Sequence, residues 1–268
     1  MPGRRLEWMS WPEIQDAGAQ PGSTVIWPFG AFEQHGPHLP LCTDSCFAEM
    51  VLEAIMARMG PTRPIWRLPI QMIGFSPEHE AFPGTLSLSA ELILNMVEQI
   101  GNQLSHSGFE RLILFNAHGG QISLLQVAAR QLRARQPSLG VLPCFLWSGP
   151  EGILSLLPEP ERYEGLHAGL AETSLMLYLQ ANQVGTMRPW DGVHNCPTPP
   201  LNPPKGWSLE GEAPNAWLTS DISATGVIGD SRQANPFLGE QLFNLLVDGW
   251  LARFESLLDS SWPPRRIT

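Results

Sequence analysis

Apolar positions fall along this chain in two rhythms. Val25-Ile26-Trp27-Pro28-Phe29 is a continuous apolar run that stops at Gly30, which predicts a short buried strand over 24–29. Similar runs at 67–73, 111–115 and 140–147 predict three more strands, the run from Arg111 to Phe115 being the clearest. Between them the spacing changes to three and four. Phe47, Met50, Val51, Ala54 and Ile55 mark the inner face of a helix over 45–59, closed by Gly60. Leu92, Ile93, Met96, Val97, Ile100 and Leu104 do the same for 90–107, closed by Gly108. Further helices are predicted after Gly120 to about 135 and over 169–180. A last one opens at Asn235-Pro236, with Leu238, Leu242, Leu245, Leu246, Trp250 and Phe254 inward. Ser10-Trp11-Pro12-Glu13 has capping-box spacing and predicts a short surface helix.

Strands that alternate with helices, and that are apolar on both faces, imply an α/β fold with a mainly parallel sheet covered on both sides. No internal repeat and no domain boundary is visible, so residues 1–268 are expected to form one domain. Residues 148–166 read as irregular. Residues 185–216 form a Pro-rich excursion that contains Trp190 and Trp207. It is too long for an ordinary connection, so it is expected to cover something or to meet a partner.

Composition narrows the class. The formal net charge of -10 opposes nucleic-acid binding, which needs a basic face. No run of 18 apolar residues and no apolar leader is present, so a cytoplasmic protein with no membrane contact is expected. The four cysteines form no dense framework and are expected to be reduced. Cys42 and Cys46 flank Asp44, but the nearby oxygen and nitrogen donors make a more coherent ligand set than two thiols would.

Candidate chemistry begins where the first strand ends. Glu33 and His35 are two apart, so in extended backbone both project to one side, and a Pro-containing loop can return Asp44 to them. Carboxylate with imidazole suits a divalent ion such as zinc, manganese or iron. Thr43 or Asp44 serves equally as a helix cap. Asn116-Ala117-His118-Gly119-Gly120 follows the 111–115 strand directly, at the place where open α/β sheets put their ligands. His167 and Glu172 sit at the start of the 169–180 helix, where a cap and a first-turn charge are the plain alternatives. Glu78, His79 and Glu80 lie in the 74–89 loop and read as a solvated tip, or as residues that shape the pocket or a subunit contact. His38 is expected to orient its loop or to support a ligand. His106 and His194 have no case for catalysis.

Four blocks then carry a resemblance. They are Glu33-Gln34-His35-Gly36-Pro37-His38-Leu39-Pro40 with Asp44, Gly74 to His79 with Phe82-Pro83-Gly84-Thr85, Asn116 to Gly120, and His167-Ala168-Gly169 with Glu172-Thr173-Ser174. Gly226 to Asp230 fits as a fifth. In this order they resemble the creatininase (creatinine amidohydrolase) family. The resemblance implies a three-layer α/β/α sandwich, two divalent ions per subunit, and often a cyclic homohexamer. It places Glu33 and His118 on one ion, His35 on the other and Asp44 between them. In creatininase itself the second ion also takes a glutamate two residues after the histidine of the third block. Here that position is Gly120, which cannot ligate, and Glu172 or water is left to complete the site.

Two close cations would activate a water and polarise an amide carbonyl. His167 would relay a proton to the departing nitrogen, and Glu172 would hold its ring or act as base. Trp147 and Tyr163 either wall a small planar substrate or simply pack. The expected activity is hydrolysis of a non-peptide C–N bond in a small cyclic amide or formamide. Cleavage of a small modified peptide is the alternative, with a non-catalytic ligand-binding protein as the third reading, motivated by Gly120. A phosphate cradle at Gly119-Gly120 lacks any accompanying glycine pattern.

Overall fold

The computed structural model describes residues 4–192, 205–211 and 213–263. His194, Cys196 and the centre of the Pro-rich stretch lie outside the described residues. The principal elements are α1 (Trp11–Gly18), β1 (Thr24–Phe29), α2 (Thr43–Arg58), β2 (Ile65–Arg67), α3 (Ala90–His106), β3 (Arg111–Asn116), α4 (Ile122–Arg135) and β4 (Gly140–Phe145). They are followed by α5 (Glu159–Glu164), α6 (Leu170–Leu179), β5 (Trp190–Asp191), α7 (Thr219–Ile222), β6 (Gly229–Asp230) and α8 (Pro236–Leu258). Strands β2-β1-β3-β4 form one wholly parallel sheet in that spatial order. β5 and β6 pair antiparallel as a separate ribbon.

Alternation along the strands sorts the core into two halves. Ile26, Ile113 and Phe115 face a cluster with α2, α6 and α8. Val25, Trp27, Phe29, Leu112 and Leu114 face a second cluster with α1, α3 and α4. This is the three-layer α/β/α sandwich expected from the sequence. Each fully buried Ile, Leu or Phe in it contributes about 1.5–3 kcal/mol against exposure.

The helix faces are shifted from the expected ones. In α2, Ala48, Leu52 and Met56 are buried beside Phe47, Val51 and Ile55, whereas Met50 and Ala54 are only partly covered. The helix packs against both the sheet and α8, which shares its layer, so its apolar surface is wider than one stripe. Leu92, expected inward, is 56% exposed at the start of α3. The second strand ends at Arg67, not at residue 73. Leu68 and Gln71 still donate to the Ile26 and Pro28 carbonyls, but Pro69 between them has no N–H to offer the ladder. β4 gives way after Phe145 to a 3-10 turn, and the segment expected to be irregular contains α5.

The chain leaves β1 toward β2 on one side and returns to β3 on the other. The carboxyl ends of β1 and β3 therefore flank a crevice at the point where the strand order reverses. No helix among the described residues is long and apolar enough to cross a membrane.

Candidate metal centre

Three local devices deliver side chains to this crevice. Beyond β1, a Cβ on Gly30 would lie 2.6 Å from both the backbone N and the Cα of Ser45. A bare glycine thus lets the first turn of α2, with Asp44, close onto the strand. Beyond β3, Asn116 Oδ1 accepts from the His118 N–H (3.0 Å) and its amide donates to the His118 carbonyl (2.6 Å). Gln121 ties the two loops by donating to Gly30 O and Asn116 Oδ1, each at 2.9 Å. At the third site, His167 exchanges two backbone hydrogen bonds with Ile228. The next residue, Ala168, has φ 53°. That left-handed backbone is strained for alanine. It turns the chain from the bridge into α6, where Glu172 Oε2 accepts from the Ala168 N–H at 2.6 Å.

All six sequence-assigned residues meet. His118 Nδ1 lies 3.1 Å from Glu33 Oε1 and 3.3 Å from Asp44 Oδ2. His35 Nε2 lies 3.4 Å from Asp44 Oδ1. His167 Nδ1 is 4.0 Å from Glu33 Oε1. His35, His167 and Glu172 offer donor atoms within 4.8 Å of one another, as do Glu33, His35 and Asp44. His38 stands behind them, its Nε2 2.8 Å from Thr173 Oγ1.

Carbonyl partners fix the tautomers of three rings, because a carbonyl can only accept. His118 Nε2 donates to Phe75 O (2.9 Å), His35 Nδ1 to Glu33 O (3.2 Å) and His167 Nε2 to Gln34 O (2.7 Å). In each neutral ring the opposite nitrogen is then bare, and it faces a carboxylate. Both oxygens of Glu33, His35 Nε2 and Asp44 Oδ2 are buried without a hydrogen-bond partner. Lone pairs facing lone pairs in a dry space demand a positive charge. Protons are one source. Burial works against charged His35 and His118 rings, but Asp44 beside the former and Glu33 beside the latter outweigh it. His35 is pushed up to about 9, and His118 well above its ordinary value. Asp44 is held below its ordinary range, the pull of His35 overcoming burial.

Divalent ions are the other source, and the donor set fits them. Ligands about 2.1 Å from a tetrahedral ion stand about 3.4 Å apart, matching the His118–Glu33, His118–Asp44 and His35–Asp44 separations. Each ring nitrogen turned away from the centre is held by a carbonyl, the usual support for a ligating histidine.

The structure adds two residues that the sequence reading set aside. His79 Nε2 is 3.6 Å from Glu33 Oε1, while its Nδ1 accepts from Gln34 Nε2 (2.7 Å) and lies 2.8 Å from Thr219 Oγ1. Glu78 Oε1 is 3.7 Å from His118 Nε2, and Glu33, Glu78 and His118 form a further group of candidate ligands. Both come from a 3-10 turn, Pro77–His79, inside the long loop before α3. The Glu-His pair between Pro77 and Phe82 was the available signal. Trp147 packs edge-on against Phe47 at 5.6 Å, and Tyr163 is 75% exposed on α5. No cysteine belongs to any candidate ligand group among the described residues.

Residues 7–254 match the family model described as Creatininase: Creatinine amidohydrolase. The chain is 33% identical over 236 residues to the mycofactocin precursor peptide peptidase of Mycobacterium tuberculosis (strain CDC 1551 / Oshkosh), which covers 86% of this chain and 84% of that protein. It is 28% identical over 190 residues to creatinine amidohydrolase of Pseudomonas putida, covering 66% and 72% respectively. A solved structure described as Creatininase Mn matches the fold with a TM-score of 0.76 at 23% identity, over 96% of this chain and 99% of that one.

Proposed function

Because the chain belongs to the creatininase family of hydrolases, we propose that it is a two-metal amidohydrolase that cleaves an amide bond in a short peptide. The observation that carries the substrate class is the 33% identity, over 86% of the chain, to a protein named for peptidase activity on a peptide precursor. Space beside the site agrees with it. A Cβ on Gly119 would meet nothing within 4 Å. The sequence had put a small cyclic amide or formamide first. The similarity to creatinine amidohydrolase over 66% of the chain keeps that as the second reading.

Glu33, Asp44 and His118 would hold one ion, and His35, Asp44 and Glu172 the other, with zinc, manganese or iron as candidates. When bound, the pair supplies an activated water and polarises the amide carbonyl. The protein's own groups handle the proton. His167 is kept neutral by burial and by His35 and His79, well below its ordinary value. Its bare Nδ1 accepts the proton that the attacking water gives up. A ring so weakly basic releases that proton readily to the departing nitrogen. In the chain without ions burial raises Glu172 to about 7, so it would meet a cation as a carboxylate that gives up its proton near neutrality. The Gln34 carbonyl fixes the ring's orientation throughout. A homo-oligomer is part of this reading, with Trp207, 55% exposed, available at its surface.

The test is a substrate panel with metal-replete protein: short peptides with free and blocked termini, formamides, and creatinine. Release of a new amino terminus from a peptide, with creatinine unchanged, supports the proposal. Turnover of creatinine or a formamide alone replaces it with the second reading. Light scattering that returned a monomer would remove the oligomer.

A further inference from the structure

The position that cannot ligate, Gly120, is the most informative residue beside the site. It lies in a 3-10 turn, Gly119–Gln121, directly after His118. Its φ is not in the left-handed region, so the backbone does not require glycine there. Space does. A Cβ at Gly120 would overlap Glu78 Oε1, lie 2.8 Å from Glu78 Cδ, and lie 2.7 Å from His118 Nε2. The carboxylate of Glu78 therefore fills the volume that any side chain at 120 would have to enter.

Glu78 also stands at the edge of the site, on the Nε2 side of His118, with an oxygen within 4.8 Å of donor atoms of Glu33 and His118. Its turn starts at Pro77 and follows a fully buried Ser76, whose Oγ is 3.3 Å from His118 Nε2. Phe75, one residue earlier, accepts the hydrogen bond of that same ring. The segment 75–78 thus wraps His118 and presents its carboxylate beside Glu33, all three donor atoms lying within 4.8 Å. The Glu78 side chain is 15% exposed, whereas Glu33 is fully buried, so Glu78 closes the site on its open side.

We propose that Glu78, delivered from the loop before α3, supplies a further carboxylate beside Glu33 and His118, to the ion those two residues would hold, and that residue 120 is glycine to admit it. The proposal rests on the two-metal reading above. It makes the glycine that argued for a degraded site the opening through which a carboxylate reaches the centre from a different loop.

The test measures metal content and affinity, not turnover. Wild type, Glu78→Gln, Glu78→Ala, Gly120→Glu and the double variant Glu78→Ala/Gly120→Glu are compared by elemental analysis and competitive chelator titration. Circular dichroism confirms that each is folded. Glu78→Gln keeps the shape and removes the charge, so it tests ligation even if the alanine variant packs poorly. Wild type is expected to hold two ions. Glu78→Gln and Glu78→Ala should lose one, or bind it at least about tenfold more weakly. Gly120→Glu should be impaired because two side chains compete for one volume. The double variant should recover much of the lost affinity. Two ions held with wild-type affinity by Glu78→Gln would overturn the proposal and leave the two-metal reading standing. A wild type that binds no ion would overturn the two-metal reading itself.

Discussion

Glu33 stands among the site's histidines. It is fully buried, both oxygens lack hydrogen bonds, and His79, His118 and His167 all point nitrogens at it. Glu33→Gln should abolish binding of at least one ion, read by elemental analysis, with the fold preserved because the shape is unchanged. His167 divides binding from chemistry. His167→Ala should lower kcat by about 10²–10⁴ while metal content stays near wild type. A parallel loss of metal would make it a ligand instead. Chelated protein offers a pH test. His35 titrates at about 9 when folded and about 6.5 when unfolded, so between those values the folded chain binds more protons. Stability of the chelated protein should fall as pH rises from 6.5 to 9, seen as a lower urea midpoint. A midpoint that rises across that window contradicts the assignment. Glu33, His35, Asp44 and His118 were legible because each directly follows a strand or opens a helix. Glu78 and His79 were not, because their loop has no periodicity to say which way a side chain turns.

At the scale of elements, the site depends on how closely α2 approaches the end of β1. Gly30 sets that distance, and Ser45 Oγ seals it by donating to Ala31 O at 3.2 Å. Gly30→Ala would force the first turn of α2 outward. A loss of about 1–3 kcal/mol is expected from overpacking, together with weaker metal binding because Asp44 moves with the turn. Urea denaturation with and without added metal measures both. The element boundaries show what a single chain's pattern can carry. The wide burial of α2 reads as a stripe in sequence because nothing local announces that α8 will pack beside it. Pro69 is visible in the sequence, but its interruption of the second strand depends on which N–H groups the neighbour needs. Ala168 gave no signal at all, since alanine carries no preference for the left-handed backbone it adopts.

The whole molecule brings together groups from four separate segments. β1 and β3 are sequence-distant neighbours, and their carboxyl ends meet only because the chain reverses its direction of sheet growth between them. A mainly parallel sheet with crossover helices was legible in the sequence, but which strands would be neighbours, and hence the reversal, was not. If two ions sit there, they bind only the folded state. Each ion present at about 100 times its Kd contributes about 2.7 kcal/mol, which for a chain of this size is about 5–10 °C in Tm. Chelation should lower Tm by that amount per ion removed and re-addition should restore it; an unchanged Tm would mean that the centre holds no tightly bound ion. The bridge between His167 and Ile228 has a temporal corollary. On the ribosome, Glu33, His35 and Asp44 emerge early, yet the backbone of His167 has no bridge partner until residue 228 has been made. The proposed proton relay is thus finished only in the last stage of synthesis, after every residue proposed to hold an ion has been made, and a product terminated before residue 228 would lack the backbone bridge that sets His167.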